Sequence, residues 1–381
     1  MAMTTPLKIG FIGGSLDSAV GYTHYSASHL DGFFQLEAGC FSRNSELNIA
    51  TGNRYSIDSS RIYSTWQELV ERERERLDAV VVLTPTPSHA EIVKAVLRAE
   101  LPVICEKALA TSSIECAEID RYVEKHKGFL AMTYNYSGYP MFRELAALCH
   151  LGKLGQLHQI QVEMPQESFI RRIDKQWPKP QEWRCIDYEV PTISLDLGVH
   201  LHHLVDIISG GLKPIKIVAT EGRTGYVADV IDNINALSMY QDSLVVNAWY
   251  GKTALGLRNG LRLRVYGSEG SGEWLQCEPE KLVVADSNGA ISVLGPGSPQ
   301  LHEANKERYQ RFKPGHPCGF IEAFANLYAD IASALLIRKG IGEGPTGPVL
   351  GARHAFEGLQ WLEAMHEAAQ TESWVTMGCT R

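Results

Sequence analysis

LKIGFIGGSLDSAVGYTHYSASHL, residues 7–30, decides the fold. Leu7–Ile12 reads as a strand, and the glycines Gly10, Gly13 and Gly14 bring it to a turn. Gly21 then opens a helical stretch running to about Leu30. Strand, glycine turn and helix together are the start of a βαβ unit. In such a turn glycine lets the backbone approach a pyrophosphate, and the helix amino terminus supplies free N–H groups and a partial positive charge. A strict G-x-G-x-x-G is absent, because Ser15 takes the second glycine position and extra residues precede Gly21. Taken alone, the loop fits a plain strand–helix turn as well. Its place at the head of a βαβ unit points to a dinucleotide, with Gly13, Gly14 and Ser15 facing the phosphates.

Outward from this stretch the alternation continues. Phe34–Phe41, Ala79–Leu83, Val103–Cys105 and Phe129–Thr133 read as strands, and His89–Glu100 and Ile114–Lys127 as helices. Ala79–Leu83 (AVVVL) is a near-continuous β-branched run, as expected of a strand buried on both faces. Repeated strand–helix alternation with short loops implies a parallel, doubly wound sheet over residues 1–134. The pattern then changes. Gln156–Met164 and much of Ile215–Trp274 alternate apolar and polar residues between turn signals at 259–260 and 267–272. Residues 135–381 are therefore expected to form an α/β domain with a large, mainly antiparallel open sheet, closed by helices at about Phe320–Arg338 and Val349–Ala369.

Bulk properties exclude several classes. The 381 residues carry 36 basic and 44 acidic side chains, a formal net charge of -8 that disfavours a nucleic-acid partner. No run of about eighteen apolar residues argues for a membrane span, and the start MAMTTPLKIGFIGG lacks a signal-peptide pattern. Eight scattered cysteines without a CxxC pair suit reduced thiols in a cytoplasm. The ERERER run at 71–76 reads as a solvated helix face.

The strand ends carry the chemistry. The second strand ends in Ser42-Arg43-Asn44. With no carboxylate for a ribose hydroxyl and an arginine at hand, this favours NADP over NAD, unless Arg43 simply faces solvent. LTPTPSH (83–89) follows the third strand and CEKALA (105–110) the fourth. DLGVHLHHLVD (196–206) lies in an apolar helical stretch of the second half. There Asp196 and His200, four apart, share a helix face.

With the opening turn, these segments resemble the glucose–fructose oxidoreductase and inositol dehydrogenase (Gfo/Idh/MocA) family, matching its Glu-Lys-Pro and Asp-x-Gly-x-His motifs in order. GHPCGFIEAFANLY (315–328) also resembles a segment of that family. The resemblance implies a Rossmann NAD(P)-binding domain followed by an α/β substrate domain, assembled as a homodimer or homotetramer. It implies hydride transfer between the nicotinamide and a secondary alcohol of a sugar, sugar derivative or inositol-like cyclitol. Lys107, Asp196 and His200 become the catalytic group. A histidine titrates near enough to neutrality to take the hydroxyl proton, Asp196 orients the ring or a substrate hydroxyl, and Lys107 stabilises the alkoxide.

Thr84, Pro85, His89 and Glu106 are then expected along the cofactor. Tyr136, Trp183, Arg184 and His203 are expected at the substrate, with Tyr134, Asn135 and His316 as weaker candidates. Other readings remain open. Asp196, His200, His203 and Asp206 could form a metal-binding stripe, but the flanking leucines favour a packed helix and no metal is expected. Trp183 could anchor a domain interface, and His202 and His203 could be core residues. The same fold could also serve a nicotinamide-binding sensor without turnover. Two departures stand out: Ala108 replaces the motif's proline, leaving open whether the Lys107–Ala108 bond is cis, and His203 stands where the family often has aspartate.

Overall fold

The structure is a computed structural model that describes residues 5–342 and 347–378, so Cys379 and the first four residues lie outside it. The chain forms two compact units: Met1–Gly138 with Phe320–Phe356, and Tyr139–Gly319 with Glu357–Arg381. In the first, the elements run β1 (Leu7–Gly13), α1 (Gly21–Leu30), β2 (Phe34–Cys40), α2 (Ser45–Arg54), α3 (Trp66–Glu73), β3 (Ala79–Leu83), α4 (His89–Arg98), β4 (Val103–Cys105), α5 (Ser113–His126) and β5 (Leu130–Met132). The sheet order is β2-β1-β3-β4-β5, every pairing parallel. This is a Rossmann-type doubly wound sheet, as the alternation predicts. All five residues of β3 are buried, in keeping with their β-branched character. Asn44, Thr65 and Ser112 cap α2, α3 and α5 through their side chains, which explains where those helices begin. Because the order reverses at β1, the carboxyl ends of β1 and β3 form the topological switch point, where such sheets bind ligands.

The second unit holds α6 (Pro140–His150), β6 (Leu157–Pro165), α7 (Val199–Ser209), β7 (Pro214–Gly222), β8 (Asn233–Tyr240), β9 (Val245–Gly251), β10 (Arg262–Gly267), β11 (Gly270–Leu275), β12 (Leu282–Asp286) and β13 (Ile291–Leu294). The chain then forms α8 (Phe320–Arg338), α9 (Ala352–Thr371) and β14 (Val375–Thr376). The nine strands run in the order β13-β12-β11-β10-β6-β9-β8-β7-β14, antiparallel except for β6 beside β9. This is the large, mainly antiparallel sheet expected from the alternation. The burial of β6 and β8 alternates along the strand, so one face carries the core. Glu144 of α6 is buried and accepts the backbone N–H groups of His302, Glu303 and Ala304 at 2.6–2.9 Å, fixing the loop after β13.

Three expectations change. A single division near residue 134 would put α8 in the second domain, whereas it packs with the first unit. Its Phe324, Leu327, Tyr328, Ile331 and Leu335 join the core cluster that includes Phe11, Ala27 and Phe34. The same helix has the length and apolar composition to cross a membrane, contrary to the expectation from the sequence. Its burial in that core accounts for the composition. Finally, the ERERER run is not wholly a solvated helix face. α3 stops at Glu73, which is fully buried, bonded by Arg61 Nε and a terminal nitrogen at 2.9 and 2.7 Å and by the Tyr63 hydroxyl at 2.7 Å. The guanidinium and phenol compensate the desolvated carboxylate.

Candidate active site

Apart from His89, which begins α4, every residue expected along the cofactor lies at the carboxyl edge of the parallel sheet or in the loop that follows. Gly13 and Gly14 have φ of +85° and +75°, which favours glycine at both. A Cβ on Gly13 would stand 2.8 Å from the backbone of Leu83 and Thr84, and one on Gly21 would stand 2.3 Å from the Gly14 carbonyl oxygen. The turn therefore lies against the end of β3 on one side and the start of α1 on the other. Val20, at the N-cap of α1, offers no side-chain acceptor, and the first turn carries no acid. Ser18 Oγ accepts the Val20 and Gly21 N–H groups at 3.3 and 3.1 Å, and a glycine turn before this ten-residue helix fits a dinucleotide's pyrophosphate. Ser42 is half-buried and Arg43 exposed just beyond β2, where Asn48 Oδ1 accepts the Phe41 N–H at 2.7 Å.

After β3, Thr84 is half-buried and Pro85 exposed. His89 is buried, its ring nitrogens 2.6 Å from the Thr84 carbonyl and 2.7 Å from the Ala108 carbonyl. Burial lowers its pKa below the usual imidazole range despite those two carbonyls. It thus ties the β3–α4 loop to the turn after β4. Within Val103–Ala110, Lys107 alone is half-buried and every other residue is buried. The Lys107–Ala108 peptide bond is cis.

The residue before that lysine belongs to a network not visible in the sequence. Glu106 Oε1 lies 3.0 Å from His24 Nε2 and accepts the Thr133 hydroxyl at 2.5 Å, while His24 Nδ1 lies 2.8 Å from the Tyr328 hydroxyl. Burial pushes the Glu106 carboxyl up, but His24, Lys107 and Thr133 together bring it below its usual range. The available signal was positional: His24 lies one turn into the helix after the glycine loop. Tyr136 is buried in the short turn after β5, which is braced where Asn326 of α8 donates to the Gly138 carbonyl at 2.8 Å.

The second unit gathers another set. Asp196 lies in a π-helical turn, Ser194–Gly198, that leads into α7. The wider turn replaces the regular helix expected between Asp196 and His200, and π-turns of this kind often occur at functional sites. Arg184 donates to both Asp196 oxygens at 3.2 and 3.4 Å and lies over the Trp183 ring. Lys252, which sequence reasoning missed, is buried with Nζ 2.5 Å from Asp196 Oδ2 and 4.8 Å from the Phe169 ring centroid. Its only sequence signal was its position directly after the apolar strand β9. The expected Asp196 and Arg184 thus meet, and Lys252 joins them.

His200 and His203 are both buried on α7. His202 is also buried, with its ring 5.8 Å from that of Trp361 and close to Gly358, as a core residue would be. Asp206 pairs with Lys213 at 3.6 Å. Among the described residues no group of three or more His, Cys, Asp and Glu side chains is arranged to hold a metal ion. His316 is exposed on a turn, with Nδ1 3.0 Å from the Lys313 carbonyl.

Two family profiles match: an oxidoreductase family with an NAD-binding Rossmann fold over residues 7–134, and a GFO/IDH/MocA C-terminal domain over residues 142–273. The chain is 28% identical over 386 residues to an uncharacterised oxidoreductase of Bacillus subtilis, covering 98% of this chain and 97% of that one. It is 27% identical over 212 residues to a myo-inositol 2-dehydrogenase of Thermotoga maritima, covering 54% of this chain and 56% of the relative. Among solved structures, an inositol dehydrogenase homolog complexed with NAD+ from Azotobacter vinelandii superposes with a TM-score of 0.90 at 25% identity, covering 99% of this chain and 98% of that one.

Proposed function

The chain belongs to the GFO/IDH/MocA family of NAD-binding oxidoreductases, and from that premise we propose that it oxidises a secondary alcohol of a sugar, sugar derivative or inositol-like cyclitol. The bound nicotinamide supplies the hydride acceptor, so the protein's task is to orient the alcohol and move its proton. His200 removes the hydroxyl proton and returns it in the reverse direction. Lys107 stabilises the developing alkoxide by charge and hydrogen bonding. Asp196, held by Lys252 and Arg184, is fixed to receive a neighbouring substrate hydroxyl or to orient the His200 ring. Tyr136, Trp183, Arg184 and His203 complete the substrate contacts.

One observation carries this reading. Gly13–Ser15, Ser42–Arg43, Thr84–Pro85 and Glu106–Lys107 end four adjacent parallel strands at the same edge, on both sides of the switch point. Ser42 and Arg43, with no acid at the end of β2, favour NADP; the neighbour bound to NAD+ makes comparison of the two cofactors necessary. The myo-inositol relative and the inositol dehydrogenase homolog support a polyol as substrate.

The concavity of about 350 Å³ along the open sheet is lined mainly by uncharged side chains such as Leu237, Asn247 and Trp249, and its Glu163 and Arg264 pair at 3.4 Å. Such a face suits a second copy, giving a homodimer or homotetramer. Cytoplasmic location accords with the free cysteines among the described residues. The test is to follow nicotinamide absorbance with NAD+ and NADP+ against inositols, hexoses and other sugar derivatives. Turnover of a polyol is expected. Tight binding of the reduced cofactor with no absorbance change across the panel would instead indicate a sensor.

A further inference from the structure

Lys107 is preceded and followed by groups that are both tied down. Ala108 is held through its carbonyl by His89, and Glu106 through its carboxylate by His24 and Thr133 and through its N–H by the Val82 carbonyl at 2.9 Å. We propose that His24, backed by Tyr328, is a positioning residue that holds the Glu106 carboxylate in place as an anion beside Lys107. This rests on the catalytic role assigned to Lys107 above.

The geometry is that of a relay running inward from α8. The Tyr328 hydroxyl faces Nδ1, which leaves Nε2 to donate to Glu106, and both His24 and Tyr328 are essentially without solvent. The ring is also packed edge-on against Phe324 and Tyr328, with centroids 4.8 and 5.8 Å away, so it cannot turn to another partner. Water cannot replace a lost donor cheaply at such a site. The charged or titratable groups facing Glu106 are His24 from α1, His89 from α4, Lys107 and Cys105 on its own strand and turn, and Tyr134 and Tyr328 from the β5 end and α8. Of these, His24 on α1 reaches the carboxylate directly, with Nε2 3.0 Å from Oε1. Without it, a buried carboxylate retains Thr133 and the charge on Lys107 against the full cost of desolvation, and protonation is the remaining relief.

The test uses the full chain and needs no substrate. The infrared band of the protonated carboxyl, assigned by its loss in Glu106→Gln, is titrated in the wild type, His24→Phe, His24→Gln and Tyr328→Phe. The midpoint in His24→Phe is expected to rise by about one unit or more. Tyr328→Phe should move it the same way by less, and His24→Gln, whose amide can still donate, should return it toward the wild type. With a polyol that turns over, the acid limb of kcat should move up in parallel while the KM for the cofactor stays nearly constant. An unchanged midpoint in His24→Phe, with normal thermal unfolding, would overturn the proposal. If His24→Phe fails to fold, an unchanged midpoint in Tyr328→Phe overturns it in the same way. Normal turnover by Lys107→Ala would instead defeat the catalytic reading and leave the titration of Glu106 as expected, so the two failures are distinguishable.

Discussion

Lys252→Met removes an ammonium and keeps most of the aliphatic stem. Lys252 is 3% exposed and lies 2.5 Å from Asp196 Oδ2. Breaking a buried pair costs about 3–5 kcal/mol when the surviving charge is left uncompensated. Here Asp196 keeps Arg184, which reaches both oxygens at 3.2 and 3.4 Å, so the expected loss is roughly half, about 2 kcal/mol. For a domain of about 150–250 residues this corresponds to a fall of about 4–8 °C in Tm. The assay is urea unfolding of the wild type, Lys252→Met, Asp196→Asn and the double variant. The cycle isolates the pair from other contacts of either residue, and a coupling of about 1 kcal/mol or more is expected. Coupling within about 0.5 kcal/mol of zero would refute the reasoning, because then Lys252 does not hold Asp196.

Gly21→Ala places a Cβ 2.3 Å from the Gly14 carbonyl oxygen, so the turn must open; affinity for NADH, read by fluorescence titration, should fall about tenfold or more. Arg43→Ala should reduce the ratio of kcat/KM for NADP+ over NAD+ by about tenfold, and an unchanged ratio would mean that Arg43 faces solvent. Burial raises the Glu73 carboxyl, but Arg61 and Tyr63 outweigh it and its folded-state pKa is lowered. Its contribution to stability is therefore present above the ordinary glutamate range and lost as pH falls through the lower folded value. Glu73→Gln should cost about 2 kcal/mol at neutral pH in urea unfolding, and the difference should shrink as pH falls below about 4.

Where local pattern decides structure, the sequence was a sufficient guide. AVVVL at 79–83 reads as a strand buried on both faces, its place between helical patterns implies a parallel sheet, and that sheet brings Thr84 and Glu106 to one edge. The alternation from residue 215 onward likewise announced the antiparallel sheet. What escaped was non-local. The contact between His24 and Glu106 joins residues 82 apart, and that between Lys252 and Asp196 joins residues 56 apart; neither leaves a periodic trace. Glu73 looked like one of six alternating charges because its buried partner Arg61 lies outside the run. The apolar α8 could have packed in either unit, and only the shape of the core around Phe11 and Phe34 assigns it.

The central claim is that Lys107 and His200 serve one proton-and-hydride transfer, and single-turnover kinetics test it directly. The hydride-transfer rate from the preferred polyol would be measured in Lys107→Ala, His200→Ala and the double variant, with cofactor affinity as a control. Each single change should slow the step by about a hundredfold or more with affinity nearly intact, and the double variant should be little slower than the worse single one, as for residues acting as a unit. A near-normal rate in either single variant, or losses that multiply fully in the double, would contradict the claim.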